Sequence, residues 1–170
     1  MQVSIGLDAA MAISRAWATH PQLVTDELET AMRSSLLYLE GQTAERTPAN
    51  LGTLRRSYTS SVSTFVDAVF GTMSSPVSYA MPIEMGTKPH FPPLAPLINW
   101  VEAKLGLYGD EAEGAARGIQ RKIGRFGTPG YGMARFALID GQATIRAEFA
   151  DAAERITLRL AQAGTPGAPA

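Results

Sequence analysis

The chain of 170 residues contains no cysteine, which removes disulfide staples, thiolate zinc sites and a cysteine nucleophile at once. It has two histidines, His20 and His90, far from the spacing of one helical turn that places two imidazoles on a metal. No run of about 18 apolar residues occurs, so no segment reads as a membrane span. The first residues, Met1-Gln2-Val3-Ser4-Ile5-Gly6-Leu7-Asp8, lack the basic stretch and apolar run of a secretion signal. Charge is sparse and balanced, 15 Lys+Arg against 16 Asp+Glu for a formal net of −1, which argues against a dedicated nucleic-acid binder. There is no Gly-x-Ser-x-Gly elbow and no phosphate loop. The glycines at 124, 127, 130 and 132 do not follow a strand, so they make no dinucleotide fingerprint. The expectation is a non-enzymatic protein without metal or cofactor. No repeat with a 20–50-residue period is present.

What is present suits a packed core. Hydrophobic residues make up 45% of a length that one core can serve, so a soluble single domain over 1–163 is expected, made inside the cell, with a flexible tail over 164–170. Residues 3–7 could form a short strand, and Asp8 then caps a helix over 8–18, ended by Thr19-His20-Pro21. Pro21 opens a second helix whose apolar stripe is Val24, Leu28, Ala31/Met32, Ser35/Leu36 and Leu39. Asp26, Glu27 and Glu29 are read as complementing the dipole at its start. That helix should fade near Arg46, before Pro48.

From 53 to 71 the Ser, Thr, Val, Phe and Tyr residues alternate with a period of two, which predicts a β-hairpin turning at Ser63-Thr64. A helical turn over 78–85 and a stiff Pro89-His90-Phe91-Pro92-Pro93 connector follow. Leu94, Leu97, Ile98, Val101 and Leu105 predict a helix stopping at Gly106. Asp110 caps the next helix, striped by Ala112, Ala115/Ala116, Ile119 and Ile123, which ends between Gly124 and Gly127. After a turn over 127–132, a last helix runs over 133–162 with a break at Asp140-Gly141 and a stripe of Phe136, Ile145, Phe149, Ala152/Ala153, Ile156 and Leu160. The fold class is therefore α+β, a small antiparallel sheet packed against N-terminal and C-terminal helices.

Two groups of residues could carry function. Glu84, between Ile83 and Met85, is either a buried acid of raised pKa or half of an ion pair with Arg55, Arg56 or Lys88. Between Gly114 and Ile139 lie Arg117, Arg121, Lys122, Arg125 and Arg135 without one acidic residue. Arg117, Arg121 and Arg125 share a helix face, suited either to nucleic-acid phosphates or to an acidic neighbour such as a copy of the same chain. An enzyme built on Glu84 and His90 would have two residues and no triad logic.

Three segments carry a resemblance. Thr47-Pro48-Ala49-Asn50-Leu51-Gly52-Thr53-Leu54-Arg55-Arg56-Ser57-Tyr58 is similar to a family entry motif of the form Pro-Val-Asp-Thr-Gly-x-Leu-Arg-x-Ser, with Asn50-Leu51 in place of the usual Asp-Thr. Tyr79-Ala80-Met81-Pro82-Ile83-Glu84-Met85-Gly86-Thr87 is similar to Tyr-Ala-x-x-x-Glu-x-Gly-Thr. The third is Pro89-His90-Phe91-Pro92-Pro93 with Trp100 in the helix after it, then Gly127-Thr128-Pro129 leading into Met133 and Phe136. Together they resemble the neck or tail-completion (head–tail joining) proteins of long-tailed, lambdoid-type bacteriophages. The resemblance implies a virion structural protein, made in the host cytoplasm and assembling with copies of itself into a ring, a hexamer if it matches the tail. The ring would join the head-closure connector to the tail-terminator or tail-tube protein, with genomic DNA passing through. A ring needs head-to-tail contacts that close by rotation. A tail-terminator or minor tail protein, or a DNA-contacting assembly factor, is the alternative. Pro48, Gly52, Leu54, Arg55, Ser57, Tyr79, Ala80, Glu84, Gly86 and Thr87 then act as scaffold, and both chain ends are expected to order against partners in the particle.

Overall fold

The computed structural model describes residues 7–48, 52–65 and 68–163. The elements run α1 (Leu7–Thr19), α2 (Pro21–Arg46), β1 (Thr59–Thr64), β2 (Val69–Ser74), α3 (Ala80–Met85), β3 (Gly86–Thr87), α4 (Leu94–Leu105), α5 (Gly109–Phe126), β4 (Thr128–Pro129), α6 (Met133–Asp140) and α7 (Gln142–Ala163). Helices with small antiparallel sheets make the fold α+β, as expected. The chain forms two compact units, one from the described residues up to Val77 together with those from Met133 onward, the other from Ser78–Gly132. The expected strand over 3–7 and the tail over 164–170 lie outside the described residues, Leu7 excepted, which is helical.

The first unit is built on α2, which packs against α1, the β1–β2 hairpin, α6 and α7. Pro21 sits in its first turn, where the missing N–H had no helical partner. Val24 of α2, Ala16 of α1 and Ile156 of α7 are fully enclosed, with Trp17, Leu23, Leu28 and Leu160 around them. Burying a Val or Ile side chain contributes about 1.5–3 kcal/mol, so this three-helix junction is a main source of the unit's stability. The last helix breaks at Gly141 as expected. Phe136, assigned to its apolar stripe, is instead exposed, its ring lying 4.7 Å from the Arg135 guanidinium carbon. Met133 and Ala137 take the inner face.

The acidic residues of α2 do other work than dipole compensation. The first turn holds none of them. Glu27 is buried, its side chain 7% exposed, and it binds α7 through Arg155 Nε at 2.7 Å and Arg159 Nη1 at 3.2 Å. The hydrogen bond that Arg155 donates to Glu27 holds its guanidinium above its ordinary pKa, against the opposing effect of burial. At the other end of α2, Arg46 reaches Asp140 at 2.9 Å. There Thr47 Oγ1 donates to the Thr43 carbonyl at 2.7 Å and lies 3.2 Å from the Tyr58 hydroxyl.

The hairpin is present, with a later start and a later turn than expected. Thr53–Arg56 form a turn, closed by the Arg56 N–H donating to the Gly52 carbonyl at 3.1 Å, and Leu54 is buried there. The strands pair from Thr59↔Ser74 to Thr64↔Val69, and the Phe65 N–H donates to Ala68 O at 2.8 Å. Ser63 and Thr64 are therefore strand residues, not the turn. Neither favours the left-handed backbone of a tight turn, and the later turn lets the Phe65 and Phe70 rings meet edge to face at 5.5 Å.

In the second unit, Val101 of α4 packs on Ala112 and Ala116 of α5, with Leu94, Leu97, Ile98, Leu107 and Ile119 around them. Helix α4 ends where expected, with Gly106 in the left-handed conformation. Asp110 is not the cap of α5. The helix starts at Gly109 with Tyr108 at the N-cap, and Asp110 and Glu111 lie within the first turn.

Candidate functional site

The second unit gathers two of the three sequence motifs into one structure. Gly86–Thr87 and Thr128–Pro129, separated by about forty residues of chain, pair antiparallel as Gly86↔Pro129 and Thr87↔Thr128. The Thr87 and Thr128 hydroxyls lie 2.8 Å apart, and the Thr128 N–H donates to Thr87 Oγ1 at 3.2 Å. Beside the ladder, the Tyr131 N–H donates to Ile83 O at 2.8 Å and the Gly132 N–H to Glu84 O at 3.0 Å. Gly86 has φ 81°, ψ −178° and Gly127 φ 70°, ψ −159°, a region open essentially to glycine alone. A side chain at Gly86 would also strike the Thr128 carbonyl, and one at Gly127 the Thr87 carbonyl. The clasp thus needs glycine at both places for two independent reasons.

The proline connector is fixed along the end of α5. The His90 N–H donates to Ile123 O at 3.4 Å, Gln120 Nε2 donates to Pro92 O at 2.8 Å, and the Phe91 ring lies directly over Gly124. His90 is exposed, its Nδ1 2.9 Å from the Lys88 carbonyl oxygen. Glu84 is half-buried at the end of α3, between a half-buried Ile83 and an exposed Met85. Among the described residues no group of three or more His, Asp or Glu side chains is arranged to hold a metal ion. No described helix is long and apolar enough to cross a membrane.

Large apolar side chains of the second unit are exposed on α3, on the proline connector, at both ends of α5 and after β4, with Met81, Met85, Phe91, Tyr108, Phe126 and Tyr131 all more than half exposed. Arg117, Arg121, Lys122 and Arg125 are all exposed on α5, as expected from their spacing. Arg117 is held by Glu113 one turn back, its Nε 3.0 Å from the carboxylate. Arg135, grouped with them by sequence, belongs to α6 in the first unit.

The described residues of the first motif lie in the first unit. Thr47 is extended before an exposed Pro48, and Gly52 has φ 72°. Ser57 Oγ is 2.7 Å from Ser75 Oγ, tying the two feet of the hairpin together. Arg55 and Arg56 line a groove of about 300 Å³ with Leu37, Glu40, Gly41, Ala44 and Tyr58. Tyr79 is exposed and Ala80 half-buried at the start of α3 in the second unit. Sequence reasoning missed the β3–β4 pairing. Its signal was the repeated Gly-Thr dipeptide at 86–87 and 127–128, each glycine placed where backbone must approach backbone. Comparison of the chain with known proteins finds no match to a family model, a curated protein or a solved structure.

Proposed function

We propose that the chain is a virion structural subunit of the phage head–tail junction, a neck or tail-completion protein that acts by assembly and without catalysis. The observation that carries the reading is the clasp. The Tyr-Ala-x-x-x-Glu-x-Gly-Thr segment and the Gly-Thr-Pro segment, which resemble that family separately in sequence, close on each other in one sheet. The exposed apolar side chains of the second unit support a protein partner over a small-molecule substrate. Copies would close head to tail into a ring, sixfold to match the tail, between the head-closure connector and the tail-terminator or tail-tube protein. Imaging of virions and light scattering of the purified chain test this. A ring at the top of the tail that contains the chain is expected. A chain that stays monomeric at every concentration and is absent from particles overturns it. The exposed Arg121, Lys122 and Arg125 favour contact with passing DNA as a second reading, which requires duplex binding that falls steeply with salt.

A further inference from the structure

We propose that the solvent face of α5 is a twofold contact between two copies of this chain, in which acidic residues at the start of one helix meet basic residues near the end of the other across a glycine seam. The proposal rests on α5 itself and stands apart from the ring, whose contacts are head to tail.

The buried side of α5 is Ala112 and Ala116, extended by Ile119 and Ile123. Directly opposite lie Gly114 and Gly118, one turn apart and exposed. Apart from chain neighbours and the backbone of α5 itself, no described atom lies within 4 Å of where a Cβ would stand at either position, and neither glycine has a positive φ. Each costs about 1 kcal/mol of helix stability relative to alanine, and nothing within the described chain requires it. A bare backbone there leaves room for a close approach by a neighbouring helix.

The charges beside the seam say what that is. Asp110 and Glu111 lie in the first turn, and Arg121 and Lys122 lie the same distance beyond the glycines. At 100° per residue, Asp110 and Arg121 fall about 20° apart on one flank of the seam, and Glu111 and Lys122 about 20° apart on the other. A second α5 laid antiparallel, related by a twofold axis level with Ala116, keeps each flank and reverses the order along it. Asp110 then meets Arg121 of the other copy, and Glu111 meets its Lys122, giving four opposite-charge pairs. Among the described residues none of these four side chains is in an ion pair within its own chain. A parallel arrangement would set like charge against like. The acidic partner that the basic face calls for is thus present on the same helix.

Eighteen residues make a helix of about 27 Å, so the contact is small, weak and salt-sensitive. Sedimentation of the full chain at sub-millimolar concentration should show a monomer–dimer equilibrium, weakened about tenfold or more by molar salt. The Asp110→Lys/Glu111→Lys and Arg121→Glu/Lys122→Glu variants should each be monomeric, because each sets like charges together. An equimolar mixture of the two should dimerise, because every pair is again opposite. Gly118→Leu, which changes no charge and starts from a Cβ position that is open, should dimerise at least tenfold more weakly while keeping its helical signal. A wild-type chain that is monomeric throughout, a charge variant that dimerises like wild type, or a mixture that stays monomeric overturns the proposal. A hexamer that forms equally well in both charge variants also overturns it, and leaves the ring reading intact.

Discussion

The Glu27 cluster should respond asymmetrically to removal of its two sides. Glu27 is almost fully buried, whereas the Arg155 and Arg159 side chains remain 41% and 58% exposed. Replacing Glu27 with methionine removes two charge-assisted bonds but leaves two guanidinium groups that already touch water. The expected loss is about 1.5–3 kcal/mol, reduced by whatever the methionine regains in packing. Replacing both arginines with methionine instead strands a carboxylate in the α2–α7 interface, for which about 3–5 kcal/mol is the usual cost. At roughly 2–4 °C per kcal/mol for a chain of this size, the double arginine variant should melt about 6–20 °C lower. Adding Glu27→Met to that double variant should restore part of the loss, since the buried charge is then gone. Thermal and urea unfolding followed by circular dichroism measure all three. If Glu27→Met costs as much as the double arginine variant, or if the triple variant is no more stable than the double, the reasoning from burial is wrong.

Ser35→Ala should stabilise the first unit by about 1 kcal/mol, because the buried Ser35 Oγ has no hydrogen-bond partner among the described residues and alanine is the better helix former; a lower urea midpoint would contradict this. Gly127→Ala should cost the second unit about 2 kcal/mol or more from backbone strain and collision with the Thr87 carbonyl, read as faster amide exchange at Thr128 and Tyr131. Unchanged exchange there would mean that the clasp does not depend on this glycine. Thr87→Val should loosen the same pairing by about 1 kcal/mol through the lost hydroxyl contact and the lost acceptor for the Thr128 N–H, with melting of the first unit unaffected.

The helices were legible because their signals are local. Pro21 marks the start of α2 and Gly106 the end of α4, each through its backbone geometry, and Gly141 marks the break between α6 and α7, where the Tyr38 ring and the Ala137 carbonyl leave no room for a side chain. The hairpin was legible as a strand pair but not in its turn, because a cross-strand aromatic contact, and no turn dipeptide, decides the register. The β3–β4 clasp was hidden because two-residue strands have no periodicity to detect. Glu27 was misread for a similar reason. Its arginines lie more than a hundred residues away, and near the start of a helix an acidic residue already has an ordinary explanation. The basic face of α5 was visible from spacing alone. Asp110 was read as a helix cap, and the place of the bare glycines between the acidic and basic ends emerged only once the buried side of the helix was known.

The division of the chain also sets an order of events during synthesis. The first unit is interrupted at Val77 and resumes at Met133, so Val24 waits for Ile156 before its pocket can close. The pairing of the second unit's clasp lies wholly within Ser78–Gly132, which precedes α7 in the chain. Once formed, the bonds from Tyr131 to Ile83 and from Gly132 to Glu84 hold the two ends of the insertion together. The chain that must loop back to bring α7 onto α2 is then effectively shorter. The entropy saved is only about half a kcal/mol, since closure cost grows with the logarithm of loop length. The larger effect is on exposure. Until α7 packs, the face of α2 that carries Val24 and Glu27 lacks the cover that Ile156, Arg155 and Arg159 supply, and that interval is when a newly made chain is open to misassociation.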